Sequence, residues 1–444
     1  MANAEGRAPR RTHRLHGQRA YAVATVHLWG QEVGALAESQ QGEITFEYTA
    51  AFRRAGLEIS PMHLPLSRLG PQTFPALRRV AAFAGLPGVI ADCLPDAFGN
   101  AIIKRYFETR GTPSAALSPI RKLLYIGKRS MGALEFRPAL DGRQTAAANE
   151  VLQIADLVTQ ARQVIEGNPE VAVPEMMQVG ASAGGARAKA TILWNRPLQR
   201  VKSAFAPRDP DDEHWLLKFD GVSSGTGGPV ATRQFEPGPF GRIEYAYAQM
   251  AQRAKIDMAE TYLLRERQFA HFMVKRFDRV GDVRLHLHSF GGLEHADYNT
   301  PHERSYEDYF RAIRTLRMGQ DDVNQAFRRM VFNLATRNQD DHVKNLAFLM
   351  DSTGTWHLAP AFDVTWALGT GWTKTHQMTA NGKDDEFTRN DMLTIGRRFD
   401  VPQDGAAIVA EVEEALSIWP REARETELEE RWIENIEKHF RHFA

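Results

Sequence analysis

A change of hydrophobic period part-way along the chain restricts its fold more than any other feature. The earlier part carries several short segments in which apolar and polar residues alternate, the period of a strand with one buried face. After the stretch "LHLHSFGGLEHADYN" the apolar residues recur mainly at helical spacing. A chain that runs strands first and helices second segregates the two, which is the α+β class. At 444 residues it is too long for one ordinary core, so two or three domains are expected.

Local punctuation sharpens this reading. "AYAVATVHLWGQEVGALAES" alternates around a Gly-bearing turn and predicts a β-hairpin. "ITFEYTAAFRRAG" predicts a strand running into a short helix. "LPGVIADCLPDAFGNAIIKRYFETRG" reads as helix between Pro and Gly breakers, and "MGALEFRPAL" as a short strand. "GRQTAAANEVLQIADLVTQARQVIEG" begins polar and becomes a periodic helix, which puts a boundary near residues 140–150. Beyond it, "MMQVGASAGGARAKATILWN" predicts a small-residue turn and a strand, and "HWLLKFDGV" another strand. "GVSSGTGGPVATRQFEPGPFGR" is a Gly- and Pro-rich loop. "IEYAYAQMAQRAK" is an amphipathic helix, "HFMVKRFDRVGD" a strand with a connector, and the end of the chain two helices broken at Pro420.

Composition excludes several classes. The formal net charge is zero and the pI about 7.3, which argues against a globally basic nucleic-acid binder. Cys93 is the one cysteine, which excludes an internal disulfide and a Cys-based zinc site and fits a reducing cytoplasm. No stretch has the apolar length of a membrane span. The opening "MANAEGRAPRRTHRLHGQRA" is basic without an apolar segment behind it, so a disordered tail is expected rather than a signal peptide.

One run concentrates chemistry: "NQDDHVKNLAFLMDSTGTWHLAPAFDV". Asp340 and Asn345 have four residues between them, the spacing of a kinase catalytic loop, in which the Asp accepts a hydroxyl proton and the Asn holds a metal ion. "NLAFLMD" and "WHLAPAFD" flank "STGT", a hairpin with Gly354 in the turn, which would carry Asp363 back beside Asn345. Two oxygen ligands from protein, completed by phosphate oxygens, suit Mg2+. Lys344 would neutralise phosphate charge, and His342 would contact a nucleotide or brace the loop. The plainer alternative is a polar helix cap and a structural hairpin. Upstream, Gly184 and Gly185 in "SAGGARAKA" remove side chains where backbone N–H groups would face anionic oxygens, although Gly-Gly is more often only a turn. Lys218, among Trp215, Leu216, Leu217 and Phe219, needs an anion if its strand is buried. A phosphate or a carboxylate such as Glu244 would serve; otherwise Lys218 is an edge-strand lysine reaching solvent.

Taken in series, these pieces follow a kinase order, and the sequence resembles HipA-type serine/threonine kinases, the toxins of bacterial HipBA toxin–antitoxin modules. "VHLWGQEVGALAESQQGEITFEYTAAF", "ISPMHLPLS" and "CLPDAFGN" resemble the family's N-terminal domain. "SAGGARAKA" resembles its phosphate loop, "WLLKF" its ATP-contacting lysine strand, "VKRFDR" its interlobe hinge, and "NQDDHVKN" and "AFDV" its catalytic and metal motifs. The resemblance implies a two-lobed protein-kinase-like fold with a β-rich N-terminal domain and an all-helical C-terminal lobe. The boundaries would be a tail over 1–19, the N-terminal domain over 20–145, the N-lobe with its Gly-rich loop over 146–275, and the C-lobe over 276–444. It implies ATP and Mg2+ as cofactors, Asp340 as catalytic base and Asn345 and Asp363 as metal ligands. Ser182, Ala183, Gly184, Gly185, Ala186, Lys218, His342 and Lys344 would meet the nucleotide, with Lys275 and Phe277 at the hinge that receives adenine. Characterised members can carry Glu where this chain has Lys275, so a side-chain contact there does not transfer. Ser182 aligns with a serine that the family autophosphorylates. The implied substrate is a translation-related protein of the aminoacyl-tRNA synthetase type. The implied partner is a helix-turn-helix antitoxin through which DNA is met only indirectly. Two rival readings are a small-molecule phosphotransferase on the same scaffold and a non-catalytic co-repressor that binds an antitoxin.

Overall fold

The computed structural model describes residues 22–108, 117–138, 187–222 and 237–443, with positions 14–15, 18–19, 111, 152–153, 156–158 and 161. The expected tail lies outside the described residues, apart from a two-by-two ribbon pairing Arg14–Leu15 with Gln18–Arg19. The expected boundary at 140–150 and the body of the 223–236 loop also lie outside them.

The predicted hairpin is β1 (Ala22–Leu28) and β2 (Gln31–Glu38). Its turn residues Trp29 and Gly30 both have positive φ, 47° and 81°, as a primed turn requires. With β3 (Ile44–Tyr48), β4 (Gln72–Thr73) and β5 (Leu134–Arg137) they form an antiparallel sheet in the order β4-β3-β2-β1-β5. Gly34 is required on β2, because a Cβ there would lie 2.2 Å from the Glu47 carbonyl oxygen. The helix expected after β3 is α1 (Ala50–Ala55), capped by Thr49 and ended by Gly56 at φ 75°. The long helix expected over the "LPG…TRG" run is two, α2 (Gly88–Ala91) and α3 (Ala97–Glu108), parted at Leu94–Pro95. α4 (Pro119–Ile126), capped by Ser118, packs against β1 and β5.

The second sheet has the order β9-β10-β8-β6-β7, all antiparallel. Its strands are β6 (Lys189–Asn195), β7 (Arg200–Ser203), β8 (Asp212–Lys218), β9 (Thr261–Glu266) and β10 (Phe269–Lys275). Trp194 and Trp215 pack edge-to-face in its core, with Phe98 and Ile102 of α3 pressed against them. α5 (Phe240–Arg253) lies on this sheet. Its apolar stripe, Ile243, Ala246, Tyr247 and Met250, nevertheless belongs to the largest core, that of the C-terminal part. Side-chain packing therefore crosses the expected limits at 145 and 275.

After a small β11 (Arg279–Val280) and β12 (Val283–Arg284) ribbon comes β13 (His286–Ser289), then α6 (Phe290–Glu294), α7 (Tyr306–Thr315) and α8 (Gln320–Thr336). The expected hairpin is β14 (Ala347–Met350) and β15 (Trp356–Leu358), with Gly354 at φ 87° in its turn. It does not stand alone: β13 pairs with β14, so this helix-rich part contains a three-stranded sheet. An all-helical C-terminal lobe is thus corrected to a helix-rich one. α9 (Arg389–Arg398), α10 (Ala406–Leu416), α11 (Trp419–Glu425) and α12 (Glu430–Glu437) follow. The last two expected helices are therefore three. Pro420 sits in the first turn of α11, where a missing N–H costs nothing, and a second break comes at Glu427 in the left-handed region.

Candidate active site

α8 ends because Arg337 adopts φ 57°, which turns the chain out of the helix. Asn338 to His342 then run irregularly into a single 3-10 turn, Val343–Asn345, and on into β14. Asn345 closes this loop by donating from Nδ2 to the Asp340 carbonyl at 2.9 Å, which leaves its Oδ1 free to accept or ligate. The β14–β15 hairpin returns the chain, and the buried Arg329 of α8 holds its far end by donating to the Ala359 carbonyl at 2.7 Å. Ala361 then bridges in parallel to Met258. Asp363 follows at φ 53°, an unusual backbone for a residue with a Cβ and a strain of roughly 1–3 kcal/mol that the surrounding packing must offset. Asn345 and Asp363 line one internal cavity of about 20 Å³, together with Asn333, Asn338 and Asp341.

β8 delivers Lys218, buried, to the same place. Its ammonium lies 2.5 Å from Glu244 Oε1 on α5 and pairs directly with Asp363 Oδ1. The anion that the sequence demanded is therefore two carboxylates. Burial works to lower the Lys218 ammonium, but Asp363 and then Glu244 overcome it and hold it above its ordinary value. Asp363 moves the opposite way: burial would raise it, and Lys218 holds it well below the usual carboxylate range. Asp340 is one-third exposed, yet its Oδ1 is buried without a hydrogen-bond partner. Burial, then repulsion from Asp363 and Asp341, pushes its carboxyl up to about 8.

The other predicted residues divide. His342 is buried between Tyr298 and Trp372, at ring separations of 5.4 and 6.2 Å, with Nε2 3.6 Å from Asp340 Oδ1. Burial lowers its pKa to about 4, so at neutral pH it braces the loop as an uncharged ring. Lys344 stacks on Tyr298 at 5.2 Å and lines a different small cavity with Asp92 and Ser289. Phe277 packs on Phe362, beside Asp363, at 5.4 Å. Lys275 is otherwise occupied: its ammonium pairs with Glu213 and Glu260, and its main-chain amide donates to the Glu260 carbonyl at 2.8 Å. The next amide, Arg276, donates to His214. The Lys275 amide and ammonium are thus engaged by Glu260 and Glu213, and its place at an adenine-receiving hinge stays a proposal. Ser182, Ala183, Gly184, Gly185 and Ala186 lie outside the described residues.

Sequence reasoning missed two participants. Lys189 is the cross-strand neighbour of Lys218, and it reaches Asp96 Oδ2 of the α3 N-terminus at 3.3 Å. Two lysines side by side on paired strands repel unless anions separate them, and Asp96, Glu244 and Asp363 do so. Asp341 was overlooked because the adjacent pair "DD" does not say which carboxylate is buried. The donor set is hard oxygen from Asn345 and Asp363 beside a buried cation and an unbonded carboxylate oxygen. It fits a Mg2+ ion that takes the rest of its ligands from phosphate.

Two family models match the chain: the HipA N-terminal domain over residues 24–137 and the HipA-like C-terminal domain over residues 181–419. No curated protein matches. Among solved structures, a chain of the Shewanella oneidensis MR-1 toxin–antitoxin complex of HipA, HipB and operator DNA superposes with a TM-score of 0.63 at 14% identity, covering 94% of this chain and 95% of that one. At that identity the likeness is one of fold. The Helicobacter pylori proinflammatory kinase CtkA aligns with a TM-score of 0.34 at 13% identity, over 58% of this chain and 90% of that one.

Proposed function

The chain belongs to the HipA family, whose C-terminal model alone spans more than half of it, and on that premise we propose a serine/threonine protein kinase that uses Mg2+-ATP and acts as the toxin of a HipBA-like pair. The observation that carries this is the convergence of Lys218, Glu244, Asp363, Asn345 and Asp340 from three distant segments. Bound Mg2+-ATP supplies the transferable phosphoryl group and the neutralisation of its charge. Asn345 and Asp363 are the metal-holding residues. Lys218, kept charged between two carboxylates, would hold the phosphates. Asp340 orients the substrate hydroxyl and accepts its proton. Catalysis is then positioning and charge neutralisation, with no covalent chemistry for the protein to perform.

The substrate class proposed is a translation-related protein of the aminoacyl-tRNA synthetase type. A helix-turn-helix antitoxin is the proposed partner, and DNA is reached through it. The likeness to a chain crystallised with HipB and operator DNA supports this assignment. Residues 20–145, 146–275 and 276–444 remain the proposed functional units, and the cytoplasm the proposed location. No described helix is long and apolar enough to cross a membrane. Ser182 is the proposed autophosphorylation site. A phosphate there adds about −1.5 to −2 charges and should switch the enzyme off. Phosphoproteomics after expression of wild type and Asp340→Asn tests the whole reading. New phosphoserine or phosphothreonine on a translation protein, and on Ser182, in wild type alone is expected. ATP turnover that depends on a small acceptor, or no turnover, would replace it with a small-molecule phosphotransferase or a silent co-repressor.

A further inference from the structure

The buried carboxylate of Asp341 joins two segments that the chemistry above does not use. It accepts from the Tyr306 hydroxyl of α7 at 2.7 Å, from His376 Nδ1 at 2.8 Å and from the Gln377 amide at 2.8 Å. His376 and Gln377 lie in the segment between Asp363 and α9, and His376 is fully buried. The second ring nitrogen of His376, Nε2, is 3.1 Å from Nη1 of Arg441, close to the C-terminal end. A guanidinium only donates, so Nε2 must accept and the ring proton must sit on Nδ1, facing Asp341. Arg441 is itself held. Its amide donates to the Ala335 carbonyl at 2.8 Å, Nη1 also donates to the Leu334 carbonyl at 3.0 Å, and Nη2 pairs with Asp385. Phe387 locks the pair from one side, edge-on to His376 at 5.5 Å and under the guanidinium at 5.2 Å.

We propose that His376 and Arg441 are positioning residues for phosphoryl transfer. Arg441 fixes the tautomer of His376, His376 pins Asp341, and pinned Asp341 aims the loop that presents Asp340 and Asn345. The inference rests on the kinase reading above. Its physical basis is that Asp341 turns into the protein while its neighbour Asp340 stays one-third exposed, so holding one sets the other. A misplacement of about 1 Å at such a site costs on the order of 10²-fold in rate.

The test uses full-length protein. Wild type, His376→Leu, His376→Asn, Arg441→Met and Arg441→Lys are compared for kcat and for KM of Mg2+-ATP, with melting curves to confirm folding. Selective ¹⁵N-histidine NMR reports the His376 tautomer directly. His376→Leu and Arg441→Met should lose about 10–100-fold in kcat/KM, as supporting partners of ligand-bearing groups do. His376→Asn keeps a donor toward Asp341 and Arg441→Lys keeps one toward His376, so both should recover most of the loss. The wild-type spectrum should show His376 as the Nδ1–H tautomer, and Arg441→Met should alter it. If His376→Leu does not fold, the tautomer and the two Arg441 variants decide. A wild-type Nε2–H tautomer, wild-type kcat/KM in Arg441→Met, or conservative variants as slow as the drastic ones would overturn the inference while leaving the kinase reading intact. A wild type that transfers no phosphate at all would overturn both.

Discussion

Asp340 and Asp341 are neighbours in sequence with opposite fates. Asp341 meets three donors, whereas Asp340 keeps one buried oxygen unbonded and repels Asp363. Asp340→Asn should cut phosphoryl transfer by about 10²–10⁴-fold, the usual loss for a general base, with ATP binding retained in calorimetry. The same variant should be more stable than wild type, and the sign follows from linkage. A carboxyl raised to about 8 in the fold keeps a proton that the unfolded chain has released. Wild-type stability from this group is therefore full below the ordinary carboxylate pKa and is lost as pH rises toward 8. Melting curves should show Asp340→Asn gaining on wild type between acid and mildly alkaline pH. A gap that does not change with pH would mean that Asp340 is not the titrating group. Asp363→Ala should weaken binding of Mg2+-ATP more than binding of metal-free ATP in paired titrations, because it removes a hard oxygen from a site with few protein ligands. Equal losses would mark Asp363 as structural.

At the scale of elements, caps and turns were legible where their signals are local. The β14–β15 hairpin followed from one Gly-bearing turn, and α1 from Thr49 and Gly56. β13 was not legible, because its four residues are defined by pairing with β14 some sixty positions away. β7 was missed for the same reason: a four-residue, polar-rich strand takes its identity from its neighbour. α9 carries a testable cap. Thr388 and Asp391 form a reciprocal capping box, and Asp391 also accepts from Lys383 at 2.7 Å and Asn381 at 2.8 Å. Burial would raise this carboxyl, but Lys383, Asn381 and Thr388 lower it to about 2. Its contribution, about 2 kcal/mol, should be present above the ordinary Asp pKa and vanish as pH falls toward 2. Asp391→Ala should therefore cost about that much in urea melts at neutral pH and far less near pH 2. A constant deficit would assign the loss to packing.

Across the whole molecule, the "VKRFDR" run does something no local rule foretold. Asp278 is fully buried and takes Arg276 through both oxygens, at 3.0 and 2.7 Å, Arg279 at 2.7 Å, and the Gly132 amide of the N-terminal unit at 2.7 Å. Arg279 and Arg284 reach back to the Ser130 and Gly132 carbonyls. The same two bodies meet again where Gly88 of α2 abuts Gly292 of α6, so closely that a Cβ on Gly88 would fall 1.9 Å from the Gly292 carbonyl oxygen. Beside it, Asp92 binds His288 and Ser289. Asp278→Ala should destabilise by about 3–5 kcal/mol, because it strands two buried guanidinium groups. It should also open the junction to limited proteolysis; a variant cleaved no faster than wild type would show that the cluster is dispensable. Sequence by itself determined the α+β class, the order of Lys218, the Asp340–Asn345 loop and Asp363, and the hairpin between Asn345 and Asp363, since period, turn chemistry and spacing act over a few residues. Only the tertiary structure decided that Lys218 answers two carboxylates, that the Lys275 amide bonds Glu260, that Asp341 meets three donors, and that α5 lies on the second sheet yet packs into the C-terminal core. Those outcomes depend on which distant groups meet out of water, and the strength of a charge or a hydrogen bond there is set by burial that no single stretch of chain contains.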